Sequence, residues 1–297
     1  MAIVPNWTRL IAMSLAAAMP CWSAASADTT VDLELVLAVD VSLSMDEDEQ
    51  QLQRDGFVSA FRDKGVIQAI KSGPHGRIAV TYVEWGGKGL QKVQMPWRVI
   101  ASQEQAHAFA DELALQPFSR DRRTSISSAL HASGALFDNN GIQSDRRVID
   151  VSGDGPNNDG SPVVAARDAL VAKGITVNGL AIQLPNPNQI FHFFDLPDLD
   201  KYFSACVTGG TGSFVIPIKS LEEFATAIRQ KLLLEIAGLA PGNRSEKRFD
   251  WAMVKPTHGL GDLFQRAEFS VGGRPTYDCL IGEKKWEQFS TGQLDLE

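Results

Sequence analysis

The chain has 297 residues, 44% of them hydrophobic and 22% charged, the balance of a globular protein rather than a disordered or fibrous one. Acidic residues outnumber basic ones 36 to 28, for a formal charge of −8. This argues against nucleic-acid binding, which calls for a basic face. The length suits one large domain, or one domain with an appendage.

Residues 1–27 read as a secretory signal peptide. Arg9 gives a weakly positive start, "LIAMSLAAAMP" is a short apolar core, and "ASA" at 25–27 is a small-residue cleavage site. The apolar run is too short to span a bilayer comfortably, and Met-Pro before Cys21 is a poor context for a lipid anchor. Export to a periplasm or beyond is therefore expected, with no later segment apolar enough to cross a membrane. Without the signal the charge is −9 and two cysteines remain, Cys206 and Cys279. Neither belongs to a CxxC, so zinc is not indicated. An exported chain can oxidise such a pair, and the sequence leaves open whether this one does.

After residue 30, strand-like and helix-like pieces alternate, the pattern of a layered α/β domain. Leu33–Val39 is a near-continuous apolar run, as expected of a strand covered on both faces. The acidic "DEDEQ" at 46–50 opens a helix, where carboxylates favour the positive helix end, and Ser44 with Glu47 fits a capping box. Arg77–Trp85 and Gln91–Val99 flank "GGKGL" as a hairpin. Ser102 with Gln105 starts a helix through Leu115, and another begins near Thr124. Arg147–Val151 is the next buried strand. Ser161-Pro162 starts a helix with proline in its first turn, and Gly174 ends it. Strands follow at Ile175–Ile182 and Ser213–Ile218. "LPNPNQIFHFFDLPDLD", 184–200, is a long loop expected to cover the core near the sheet edge. "SLEEFATAIRQKLLLEIAG" is the last clear helix, capped by Ser220 and stopped by Gly238.

Beyond residue 238 the pattern weakens. The expected division is 1–27 signal, 28–238 domain and 239–297 extension. Trp251 and Trp286 give the extension a means to pack on the domain, and "EFSV-GGRP-TYDCLI" has the outline of a hairpin, with a disordered or atypical tail as the equal alternative.

Chemistry concentrates at one edge of the predicted sheet. Asp40 ends the first buried strand, and Ser42 and Ser44 follow at every second position. Thr124 stands at the start of a later helix, and Asp154 follows another buried strand in "VIDVSGDGPNND". Ligands of open α/β sheets sit outside the carboxyl ends of strands. Two carboxylates and three hydroxyls, with no His or Cys, suit a hard cation such as Mg²⁺, Mn²⁺ or Ca²⁺. Ser42 and Ser44 also fit plain capping of the next helix.

"DVSLS", a later isolated Thr and a "GDG" after a further strand resemble the von Willebrand factor A domain family, shared with integrin I domains. "SGDGPNN" and "CVTGG" are also similar to an exported bacterial branch of unknown function. The resemblance covers about residues 31–238. It implies a doubly wound, mostly parallel sheet with one antiparallel edge strand and helices on both faces. It also implies a metal-ion-dependent adhesion site at Asp40, Ser42, Ser44, Thr124 and Asp154. In that pattern the serines touch the ion, Thr124 and Asp154 do so directly or through water, and Asp40 acts through water. Hydroxyls hold a cation without neutralising it, which leaves a position for a Glu or Asp carboxylate of a partner protein.

Two rivals are weighed against this non-enzymatic reading. A metal-dependent phosphatase or hydrolase would need a base or nucleophile beside the ion, and none is evident apart from the ligands. A structural domain whose ion only stabilises the fold is the other. "GGTG" at 209–212 reads as a turn before a strand, and Arg120, Arg122 and Arg123 as charges balancing local carboxylates. Asn157, Asn158 and Asp159 read as loop residues, and His131 as structural or solvent-facing.

Overall fold

The computed structural model describes residues 28–184, 193–238, 268–269 and 276–292. The expected signal peptide, Trp251 and residues 185–192 of the 184–200 loop lie outside them.

The first central strand, β2 (Leu33–Asp40), is buried along its whole length. Its side chains alternate between two cores, as the strand period of two requires. Leu33, Leu35, Leu37 and Val39 face one, and Val36 and Ala38 the other. A short β1 (Thr29–Val31) pairs aside with β5 (Ile142–Ser144). Helices α1 (Glu47–Arg62) and α2 (Lys64–Lys71) follow β2, and β3 (Ile78–Trp85) and β4 (Gln91–Ile100) form the expected antiparallel hairpin. Next come α3 (Gln103–Ala114), α4 (Ile126–Ala135), β6 (Arg147–Gly153), α5 (Val163–Ala172) and β7 (Ile175–Ile182). A short helix α6 (Leu199–Tyr202) continues into a π-helical turn, Phe203–Val207. Then come β8 (Phe214–Ile218) and α7 (Phe224–Ala237), the latter ended by Gly238 at φ 67°. The described extension adds β9 (Glu268–Phe269) and α8 (Ile281–Thr291).

The main sheet runs β4-β3-β2-β6-β7-β8-β9, with β3, β2, β6, β7 and β8 parallel. From β2 the chain moves first to β3 and β4, then crosses back to β6 on the other side. The switch point, where ligands of open α/β sheets bind, lies between β2 and β6. Asp40 ends β2, and Asp154 directly follows β6.

Four expectations need correction. The cap of α1 is Asp46, whose side chain accepts the Glu49 N–H while Glu49 caps back. Ser44 is thereby released from the capping box drawn with Glu47. Pro162 occupies the cap of α5 rather than its first turn. Ser220 makes no side-chain cap and precedes a 3₁₀ turn, Leu221–Glu223. In the extension, β9 pairs antiparallel with β8, giving the sheet a second antiparallel edge. The "TYDCLI" segment leads into α8 instead of closing a hairpin.

Helix α7 packs closely on α1 at Gly56, where a Cβ would stand 2.5 Å from Ile228 Cδ1 and displace the end of that side chain. It also carries a buried ion cluster. Lys231 Nζ lies 3.0 Å from Asp150 Oδ1 on β6 and also pairs with Glu235. Asn178 donates to Glu235 Oε1 at 2.9 Å. Burial first, and then the nearby Glu235 charge, push the Asp150 carboxyl up to about 7, against the lowering effect of Lys231. Removing one partner of a buried pair strands the other charges. Lys231→Ala is therefore expected to lower stability by about 3–5 kcal/mol in urea unfolding.

Candidate metal centre

Three loops meet at the switch point. In the first, Asp40 is fully buried and its Oδ1 accepts the Ser42 N–H at 2.8 Å. The Ser42 and Ser44 hydroxyls lie 3.0 Å apart, and Ser44 Oγ donates to Asp154 Oδ1 at 2.8 Å. Asp40, Ser42, Ser44 and Asp154 thus form one continuous polar row.

The second loop, residues 116–125, is fixed from below. The buried Arg54 pairs with Glu84 and also bonds the Gln116 carbonyl. Glu84 Oε2 accepts Gln94 Nε2 at 2.7 Å and the Ser119 N–H at 3.0 Å. The Asp121 N–H then reaches the Val41 carbonyl at 3.2 Å, and the Ser125 N–H the Gly86 carbonyl at 2.8 Å. These bonds set Thr124 beside the first loop, just ahead of Ser125, the cap of α4.

The third loop closes on Thr124. Its N–H donates to Asn158 Oδ1 at 3.0 Å, and its carbonyl accepts the Asn158 N–H at 2.9 Å. Asn157 Oδ1 accepts the Ser127 N–H at 3.0 Å. The Thr124 hydroxyl has no hydrogen bond among the described residues.

The electrostatics are unbalanced. No cationic side chain pairs with Asp40 or Asp154 among the described residues. Burial, outweighing the hydrogen bonds from Ser42 and Asp154, raises the Asp40 carboxyl from 3.8 to about 7. Burial first, then the Asp40 charge, puts Asp154 well above its usual range. Asp40 Oδ2 is buried without a hydrogen bond, an exception that calls for an explanation. Gly153 leaves room beside it, since a Cβ there would lie 3.1 Å from that oxygen. Two of the three neighbouring arginines are engaged elsewhere. Arg120 pairs with Glu47 at 3.0 Å, and the Arg123 guanidinium stacks 3.3 Å over Trp286. An orphaned carboxylate oxygen, a second carboxylate and hydroxyls without nitrogen or sulfur donors fit a hard divalent cation.

Sequence reasoning passed over Glu49, whose charge helps raise Asp154. The "DEDEQ" run reads as helix-end charge alone, with nothing in it to show that α1 begins beside β6. It also treated Asn157 and Asn158 as plain loop residues, although paired amides, each with a donor and an acceptor, are a signal for cross-linking loops. A different cluster, Asp32, His75 and Asp145, lies at the amino ends of β2, β3 and β6, about 25 Å from Asp40 along the eight-residue strand. His75 Nε2 is 3.7 Å from Asp145 Oδ2. Both oxygens of Asp32 already accept backbone N–H groups, of His75 at 2.8 Å and Arg77 at 3.2 Å, so Asp32 anchors the turn before β3.

The doubly wound sheet agrees with the fold expected from the resemblance to the von Willebrand factor A domain family. The chain belongs to a family described as "Protein of unknown function (DUF1194)", whose model matches residues 30–240. Similar solved structures include proximal thread matrix protein 1 from the mussel byssus, with a zinc-occupied MIDAS motif. It is 16% identical with a TM-score of 0.48, over 71% of this chain and 49% of that one. A von Willebrand factor type A protein from Catenulispora acidiphila is 14% identical with a TM-score of 0.49, over 70% and 43%. BatB from Bacteroides thetaiotaomicron is 18% identical with a TM-score of 0.42, over 70% and 100%. The chain spans less than half the length of the first two. No curated protein matches it.

The raised carboxyls set a pH dependence. An Asp40 that titrates near 7 when folded and at 3.8 when unfolded keeps its proton longer in the folded state. Its contribution to stability is full below about 4 and is lost as pH rises to about 7. A cation held here would replace that proton, so saturating Mg²⁺ is expected to raise Tm more at pH 8 than at pH 5, measured by thermal melts with and without chelator. Equal increments at both pH values would contradict this.

Proposed function

We propose that this protein is an exported, metal-dependent protein-binding module. In this reading Asp40, Ser42, Ser44, Thr124 and Asp154 hold one divalent cation, Mg²⁺ or its analogues Mn²⁺ and Ca²⁺, and a partner protein supplies a Glu or Asp carboxylate. The observation that carries the reading is the pair of carboxylates at the switch point, which has hydroxyl neighbours and no counter-charge among the described residues. The cation supplies, when bound, residual positive charge and an open position for an anionic group. The chain's own part is orientation: Asp40 fixes the Ser42 backbone, Ser44 is held against Asp154, and the Asn158 clamp sets Thr124. Hydroxyl donors add no negative charge, so an incoming carboxylate is attracted rather than repelled.

The non-enzymatic reading rests on the partners of the hydroxyls. The one carboxylate that accepts a serine proton, Asp154 from Ser44 at 2.8 Å, is itself a ligand in this reading, so it is not free to serve as the adjacent base that activates a nucleophile. Export to a periplasm or beyond is supported by the pattern of residues 1–27 and by the Cys206–Cys279 disulfide, since such bonds persist in oxidising compartments.

The test is capture of exported proteins on immobilised residues 28–297, in Mg²⁺ and again in chelator. Capture should require Mg²⁺ and be lost in Asp154→Ala, while the variant keeps its circular dichroism spectrum. Capture that ignores chelator would overturn the carboxylate bridge. Collapse of the Asp154→Ala fold would favour a purely stabilising ion.

A further inference from the structure

Helix α8 reaches the metal loops from outside the family match. Its tether is the disulfide between Cys279 and Cys206, 73 residues apart in sequence. Cys206 is buried in the π-helical turn, and the Arg167 guanidinium binds the carbonyls of Ala205, Cys206 and Thr208 at 3.1–3.3 Å. Beside the tether, Tyr277 donates to Asp198 Oδ1 at 2.8 Å, and its ring meets Tyr202 edge-on at 5.8 Å. The Tyr202 hydroxyl in turn accepts the Asn157 N–H at 3.0 Å.

The first turn of α8 bears directly on Asn157. A Cβ on Gly282 would stand 2.1 Å from the Asn157 carbonyl oxygen, so only glycine permits this approach. Asn157 Nδ2 donates to Glu283 Oε1 at 2.8 Å, while its Oδ1 holds the Ser127 N–H at the start of α4. One turn further, Trp286 lies under the Arg123 guanidinium, and Arg123 Nη1 donates to the Asn158 carbonyl at 3.3 Å. Glu283 and Trp286 therefore grip the two asparagines and the arginine that surround Thr124.

We propose that α8 is a reducible clasp on the metal centre: Glu283 and Trp286 are positioning residues for Thr124, and the Cys206–Cys279 bond is their tether. The proposal rests on the metal-site reading above. Release needs a dithiol reductant. One thiolate attacks the sulfur of Cys279, a half-buried residue where Cys206 is fully buried, and forms a mixed disulfide, and Cys206 leaves as a thiolate that takes up a proton. The second thiol then displaces Cys279 as a thiol, so the protein gains two electrons and the reductant becomes a disulfide.

The experiment uses residues 28–297, oxidised and dithiol-reduced, with Glu283→Ala, Glu283→Gln and Cys279→Ser. Amide exchange at Thr124 and Ser127 is followed in metal-free protein, and Mn²⁺ affinity by electron paramagnetic resonance. Reduction, Glu283→Ala and Cys279→Ser should each speed exchange at both amides and weaken Mn²⁺ roughly tenfold, the scale of losing an outer support of a metal ligand. Glu283→Gln, which keeps the acceptor for Asn157, should behave as wild type. Unchanged exchange in Glu283→Ala or in reduced protein overturns the clasp. Faster exchange with unaltered Mn²⁺ affinity overturns the positioning role. A wild type that binds no Mn²⁺ refutes the metal reading instead, and the exchange data still decide whether α8 grips the loops.

Discussion

Two carboxylates stand at the carboxyl ends of neighbouring parallel strands, and no positive group among the described residues balances them. The register of β2 and β6 forces this: Val39 pairs with Ser152, so Asp40 ends level with Gly153 and Asp154 comes one residue later. Burying such a pair is costly, and proteins normally answer by pairing the charges, protonating them or coordinating a cation. Around them lie hydroxyls, an unsubstituted glycine, the Trp85 ring and the capped start of α1. The cap is itself acidic, so the positive helix end is spent on Asp46 and Glu49 rather than on the pair.

The contrast with the rest of the interior is instructive. At Asp150 the same strand carries another buried carboxylate, two pleats before the site, and there Lys231 answers it. Beneath the second loop, Glu84 is answered by Arg54. Asp150 and Glu84 are thus each answered by an internal cation, whereas among the described residues none answers the pair at the switch point. The rigid supports lie beneath the loops, in the Arg54–Glu84 pair, while the adjustable ones lie on their flank, in Asn157, Asn158 and the disulfide-held helix.

Much of the domain was legible because its signals are local. Continuous apolar runs gave the central strands, "GGKGL" gave the hairpin and Gly238 gave the helix stop. The spacing of Asp40, Ser42 and Ser44 reports a strand end turning into a loop, and the structure joins those residues to Asp154. What stayed hidden depends on distant partners. Asp46 wins the cap of α1 because Glu49 can bond back to it, leaving Ser44 for Asp154. The grip of α8 was not legible, because a short helix bearing Glu283 and Trp286 shows no sign of the loop it meets. Cys206 and Cys279 could be counted, but their pairing follows from the path of the chain between them.

The central claim is that the unbalanced pair is a cation site, and calorimetric titration of Mg²⁺ into residues 28–297 at pH 7.5 tests it most directly. The account predicts saturable one-to-one binding with proton release, abolished by Asp40→Ala in a protein that still folds. Asp40→Ala binding Mg²⁺ as the wild type does, or a wild type that binds neither Mg²⁺ nor Mn²⁺ at millimolar concentration, would contradict it.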